Sequence, residues 1–109
     1  MAYSKKERFA SRQARLAELA KALSHPARIE ILKMLAKRDT CICGEIVEVL
    51  PLAQATVSQH LKALKEVGLI KGRIEGPMSC YCINKKAVRE LRALLGNFLG
   101  RLNPEEATR

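Results

Sequence analysis

Hydrophobic residues recur along this chain at two different periods. From Phe9 to Leu23, the residues Leu16, Leu19, Ala20 and Leu23 return at helical spacing and predict a first amphipathic helix. Ser24 is placed to cap a second helix, with Pro26 near its first turn. Ile29, Ile31, Leu32 and Leu35 spread around that segment, as in a helix buried on most sides, and the polar run 37–40 ends it. Residues 40–43 (TCIC) are short and β-compatible, and 44–50 (GEIVEVL) reads as a brief helix. It stops at Pro51, because a proline ring disfavours a helical residue before it. The next helix covers 53–68 (AQATVSQHLKALKEVG), with Val57, Leu61, Leu64 and Val67 on one face and Gly68 just past its end, where a positive φ costs glycine little. After it the period shortens to two. Residues 69–75 and 78–84 predict two strands around a Gly76–Pro77 turn. A last amphipathic helix follows through Val88, Leu91, Leu94, Leu95, Phe98 and Leu102.

The order helix, helix, strand, helix, helix, strand, strand, helix predicts a mainly α fold with a small β wing, a winged helix-turn-helix. Its domain is expected over residues 9–102, between flexible tails at 1–8 and 103–109. Packing must rest on aliphatic residues, since the chain holds two Tyr, two Phe and no Trp.

Charge sharpens the picture. A net charge of +9 on 109 residues points to a polyanionic partner. No apolar run reaches the roughly 20 residues that a membrane span needs, and no apolar stretch follows the basic start as in a signal peptide. A cytoplasmic protein without membrane contact is expected, in a compartment where thiols stay reduced.

Three stretches carry a family resemblance. Residues 23–35 (LSHPARIEILKML), 50–70 (LPLAQATVSQHLKALKEVGLI) and 71–84 (KGRIEGPMSCYCIN) are similar in order to the opening helix, helix-turn-helix and wing of the ArsR/SmtB-type metal-responsive repressors. The likeness covers about residues 16–84, and SQHLKALKEVGLI is its most specific part. It implies a repressor that dimerises through its first and last helices, binds double-stranded operator DNA, and lets go when an inducer docks.

A DNA-reading helix needs polar side chains opposite its apolar stripe, near its N-terminus. Gln54, Thr56, Ser58, Gln59 and Lys62 meet that need. Glutamine can pair with adenine, and Ser or Thr can reach base edges or phosphates. His60 and Lys65 are expected on phosphates or the preceding helix, and Lys71 and Arg73 of the wing along the DNA backbone or in a minor groove. Ala53 stands where the family often has a serine cap, so a capping contribution of about 1 kcal/mol is missing there.

Cys41 and Cys43, like Cys80 and Cys82, are two residues apart, so each pair projects to one face if its segment is a strand. Winged-helix folds pair the short early strand with the second wing strand. That arrangement would set the two pairs side by side, about 5 Å apart in backbone. Soft thiolates suit trivalent arsenic or antimony, or a soft metal ion. The family's arsenic sensors carry a Cys-x-Cys near this place, but counted back from His60 it falls one residue later, at Ile42 and Gly44. Two other readings stay open: a switch in which the thiols oxidise to disulfides or polysulfide links, and buried cysteines that only pack. The family's zinc site on the last helix is not expected, because that helix has neither His nor Asp. A metal role for His25 or His60 is not expected either.

No nucleophile, base and orienting group fall into a catalytic pattern, and no Gly-rich phosphate loop is present, so the chain does not read as an enzyme. A winged helix that only docks another protein is the remaining rival. Steep salt dependence of binding to duplex DNA distinguishes the two.

Overall fold

In the computed structural model, which describes residues 10–38, 41–43, 52–75 and 78–102, the elements follow the expected order. They are α1 (Ser11–Ala22), α2 (Pro26–Arg38), β1 (Ile42–Cys43), α3 (Gln54–Glu66), β2 (Ile70–Glu75), β3 (Met78–Ile83) and α4 (Lys85–Arg101). The helix expected at 44–50, the Gly76–Pro77 turn and the tails at 1–8 and 103–109 lie outside the described residues.

The cap of α2 differs from expectation. His25, not Ser24, occupies the cap: its carbonyl accepts from the Arg28 and Ile29 amides, and its Nδ1 accepts from the Ala27 amide at 3.0 Å. Ser24 instead closes α1, its own amide donating to the Lys21 carbonyl. Pro26 then fits the first helical position, where a missing N–H costs nothing. On α1, Ala22 is buried and Ala20 is exposed, and on α2, Ile29 is exposed. The apolar faces are therefore narrower than the sequence suggested.

Helix α3 begins at Ala53 without any side-chain cap, as its sequence implies. Its end is much better determined. Gly68 takes φ +84°, its amide donates to the Lys65 carbonyl, and the Leu69 amide donates to the Leu64 carbonyl. This double closure satisfies carbonyls that the last turn would otherwise leave open. It also turns the chain straight into β2, with Leu69 and Ile70 buried.

The sheet runs β1-β3-β2, antiparallel throughout. Strands β2 and β3 pair from Ile70 opposite Ile83 to Glu75 opposite Met78. The core lies between helices and sheet: Leu19, Ile31, Leu35, Ile42, Val57, Leu64 and Leu69 are all but inaccessible to solvent. Asn84 caps α4 by accepting from the Ala87 amide, while its own amide donates to the Leu69 carbonyl. The wing's last residue thus ties α4 to the end of α3. Arg15 joins α1 to α4 through two hydrogen bonds to Glu90 Oε1, at 3.1 and 3.0 Å. That pairing holds the guanidinium still more firmly protonated than usual. Being largely solvated, it stabilises the helix pair by no more than about 1 kcal/mol.

Gly68→Ala forces a left-handed backbone onto a residue with a Cβ. The expected loss is about 1 kcal/mol, read in thermal unfolding as a fall of several degrees in Tm. An unchanged Tm would show that the closure of α3 does not depend on glycine.

Candidate nucleic-acid interface

Helix α3 divides cleanly into two faces. Val57, Leu61 and Leu64 sink into the core, while Ser58, Gln59, Lys62 and Lys65 are exposed and Thr56 is half-buried. Gln54 is the first residue of the helix. No acidic residue occupies the first turn, so the positive end of the helix dipole meets no local counter-charge there. On the wing, Lys71 is exposed, and Arg73 lies on β2 in register with Cys80. Ser58, Gln59, Lys62, Lys65 and Lys71 together form an exposed polar, basic surface on one helix and the strand that follows it.

His60 departs from that surface. It is 7% exposed and turns toward α2, where its Nδ1 accepts from Arg28 Nε at 3.1 Å. This differs from the expected place on phosphates or the preceding helix: the contact is with α2, and the helix expected at 44–50 lies outside the described residues. Burial, and then the charges of His25 and Arg28, hold its imidazole below the usual range.

Lys65 also has a neighbour. A methyl group placed on Gly72 would lie 3.2 Å from both Lys65 Nζ and Tyr81 Cε1. The end of α3 therefore rests on the wing where β2 is bare, beside a tyrosine that stands between Cys80 and Cys82. Glycine at 72 permits that close approach.

The cysteines fall where β1 meets β3. Ile42 is opposite Tyr81 and Cys43 is opposite Cys80, which brings Cys41 opposite Cys82. Cys41 and Cys82 are joined in a disulfide, with their Cα atoms 4.2 Å apart. Both are half-buried. Cys80 is fully buried and is itself disulfide-bonded. The expected juxtaposition of the two Cys-x-Cys segments is thus present in the backbone. Ile42, which points to the opposite face, is buried in the core and fixes the register. Among the described residues, no group of three or more His, Cys, Asp or Glu side chains is arranged to hold a metal ion.

Sequence reasoning missed Arg28. The available signal was a lone arginine four and seven residues before Leu32 and Leu35, on the stripe of α2 that faces the core. Such a residue needs a buried acceptor, and the structure supplies His60.

Against known proteins, residues 25–71 match the family model described as bacterial regulatory protein, arsR family. An uncharacterised HTH-type transcriptional regulator of Methanocaldococcus jannaschii is 40% identical over 80 residues, covering 72% of this chain and 89% of that protein. The HTH-type transcriptional regulator YgaV of Escherichia coli is 36% identical over 81 residues, covering 74% and 82%. Among solved structures, a homodimeric winged helix-turn-helix DNA-binding domain from Mycobacterium bovis superposes with a TM-score of 0.66 at 30% identity, covering 94% of each chain. No helix among the described residues is long and apolar enough to cross a membrane. The chain belongs to the arsR family of bacterial regulatory proteins, which are DNA-binding transcriptional regulators and not enzymes.

Proposed function

We propose that this protein is a dimeric cytoplasmic repressor whose hold on its operator is set by the state of four cysteines, Cys41, Cys43, Cys80 and Cys82. The observation that carries the reading is the direct opposition of two Cys-x-Cys segments across β1 and β3, with Cys41 and Cys82 bonded. Reduced, the thiols leave β1 free to adjust against the wing, and α3 presents Gln54, Thr56, Ser58, Gln59 and Lys62 to the major groove. Lys65, Lys71 and Arg73 lie along the phosphates, with Lys65 braced on the wing. Oxidation removes two protons and two electrons from the Cys41 and Cys82 thiols and joins the sulfurs. A peroxide takes up the two electrons and two protons as its O–O bond breaks, leaving as two waters or as a water and an alcohol, and a polysulfide takes them as one of its S–S bonds breaks, leaving as two shorter hydrosulfide species. With the register already set by Ile42, the new bond tightens the contact of β1 with β3, and β1 leads on toward α3, so the reading helix and the wing change their relation. Coupling of this kind typically changes affinity by about 5- to 150-fold.

A second reading uses the same residues. Four thiols gathered on neighbouring strands offer soft donors for trivalent arsenic, antimony or a soft metal ion. Such an ion would be the inducer, held by the reduced thiols in place of a disulfide.

Dimerisation follows the terminal helices. Along α4, Val88, Phe98, Leu99 and Leu102 are exposed, the last at 61%. A groove between α1 and α4 is lined by Leu16, Leu94 and Phe98. An apolar face of that extent on a basic domain is best covered by its own copy, and the M. bovis domain is described as homodimeric.

Operator binding measured against salt should give a steep negative slope of log affinity on log salt. Lys62→Ala should reduce that slope by about 1 without changing which sequence is preferred. A flat slope in the wild type would instead favour a protein-docking module. Phe98→Glu with Leu102→Glu should convert the dimer to monomer in sedimentation and weaken operator binding by at least about tenfold, and a dimer that persists would remove α4 from the interface. Oxidation with diamide should weaken binding by about tenfold or more in the wild type, and the variant with Cys41, Cys43, Cys80 and Cys82 all replaced by serine should bind as the reduced protein does under both conditions. Equal binding by oxidised and reduced wild type would end the disulfide reading. Native mass spectrometry of reduced protein with arsenite would then decide for or against the ion.

A further inference from the structure

His60 is the only buried polar side chain among the described residues, and it sits on α3, the helix assigned to DNA reading under the proposed function. Its surroundings are unusual for an imidazole. Nδ1 accepts from Arg28 Nε, whereas Nε2 is buried and meets no partner. The ring of His25 lies against it, centroids 4.3 Å apart and tilted by 42°. His25 is itself fixed, because its Nδ1 accepts the Ala27 amide at the start of α2. Arg28 reaches further: its Nη1 points to the Lys21 and Ala22 carbonyls at the end of α1, at 3.4 and 3.5 Å. One guanidinium thus joins the end of α1, the first turn of α2 and the middle of α3.

We propose that Arg28 is a positioning residue for the DNA-reading helix, that it holds α3 through neutral His60, and that protonating His60 releases this hold and weakens operator binding.

The geometry gives the reason. An Nδ1 that accepts from Arg28 must carry a lone pair, so the neutral ring has its proton on Nε2. A second proton would go on Nδ1, setting donor against donor. It would also place a buried positive charge beside the Arg28 guanidinium. Among the described residues the charged groups acting on the ring are His25 and Arg28, and neither offsets that charge. Lys62 and Lys65 of α3, and Lys71 of β2, the strand packed against α3, are exposed. Burial and the two neighbours lower the affinity of the ring for a proton in the docked arrangement. An imidazole freed from the core titrates near 6.5. The contribution of the link is therefore fully present above about 6.5 and is lost as pH falls below it, toward the depressed value of the docked ring. The direction distinguishes this from simple electrostatics, in which a protonated histidine on a DNA-binding surface tightens binding to phosphates.

The inference rests on α3 being the DNA-reading helix, and the tests separate the two. Operator affinity of the reduced full chain is measured from pH 7.5 to 5.5 at constant salt. The wild type should lose affinity as pH falls below about 6.5, by up to about tenfold at 5.5, the limit set by one unit of proton linkage. His60→Asn keeps an uncharged acceptor near the Nδ1 position and should show no such loss. His25→Asn, which keeps a cap for α2, should lose affinity as the wild type does. Arg28→Met should bind more weakly at pH 7.5 and show a smaller further loss. An equal loss in His60→Asn and wild type, or its disappearance in His25→Asn, overturns the proposal. No operator binding by the wild type at pH 7.5 would count against the DNA-reading assignment instead. A nitrogen-15 titration of the wild type needs neither DNA nor a variant. It should show His60 as the Nε2–H tautomer with a midpoint below about 6.5, and an Nδ1–H tautomer or a midpoint above that value overturns the proposal even if every variant fails to fold.

Discussion

The structure depends on where β1 lies against β3. The register settles it: Ile42 is buried in the core, opposite Tyr81, and Cys41, bonded to Cys82, lies on the other face, with Cys43 in register with Cys80. A slip of one residue would bring Cys41 or Cys43 to the core and lift Ile42 out of it. Burying a side chain of that size is worth roughly 1.5–3 kcal/mol, so the register is held by packing whether or not sulfur is bonded. Thiol chemistry then acts on a juxtaposition that the core has already made.

From this strand the functional surface is assembled by short-range constraints. Gly68 ends α3 and sends the chain directly into β2, so the wing follows the reading helix without a loop between them. Gly72 lets Lys65 and Tyr81 close over the bare strand, which connects the end of α3 to the segment that holds Cys80 and Cys82. Asn84 bonds both to α4 and to the Leu69 carbonyl, so the last helix is placed by the same corner. The reading helix, the wing, the cysteines and the outer helix share contacts through a few residues. A change at the sulfurs has a physical route to the DNA-facing side.

The opposite side of α3 is held differently. There a buried imidazole is linked to an arginine that also reaches the end of α1. Packing alone would hold α3 at any pH, whereas a hydrogen bond to a neutral ring holds it only while that ring remains neutral. On the two proposals, one helix is anchored by two chemistries, thiols beyond the wing and an imidazole beneath the helix. They respond to different conditions.

The periods of hydrophobic residues determined the elements and their order, because a helix or strand must bury one face whatever its partners are. Glycine at 68 and the uncapped Ala53 were legible for the same reason: backbone conformation and capping are local. The family resemblance carried the pairing of β1 with the wing, which the structure has, and the proposed DNA-reading role of α3, neither of which follows from periodicity. Other features were decided only in three dimensions. Ser24 and His25 are adjacent and both able to cap, and it is His25 that accepts the Ala27 amide while its ring lies against His60. Ile29 belongs to an apolar run but faces outward, because α2 has neighbours on only part of its circumference. His60 lies within a run of polar residues that face solvent, yet it turns inward, since a helix advances about 100° per residue and Arg28 waits on the neighbouring helix. Sequence specifies what each residue can offer, and only the meeting of distant segments decides which offers are taken up.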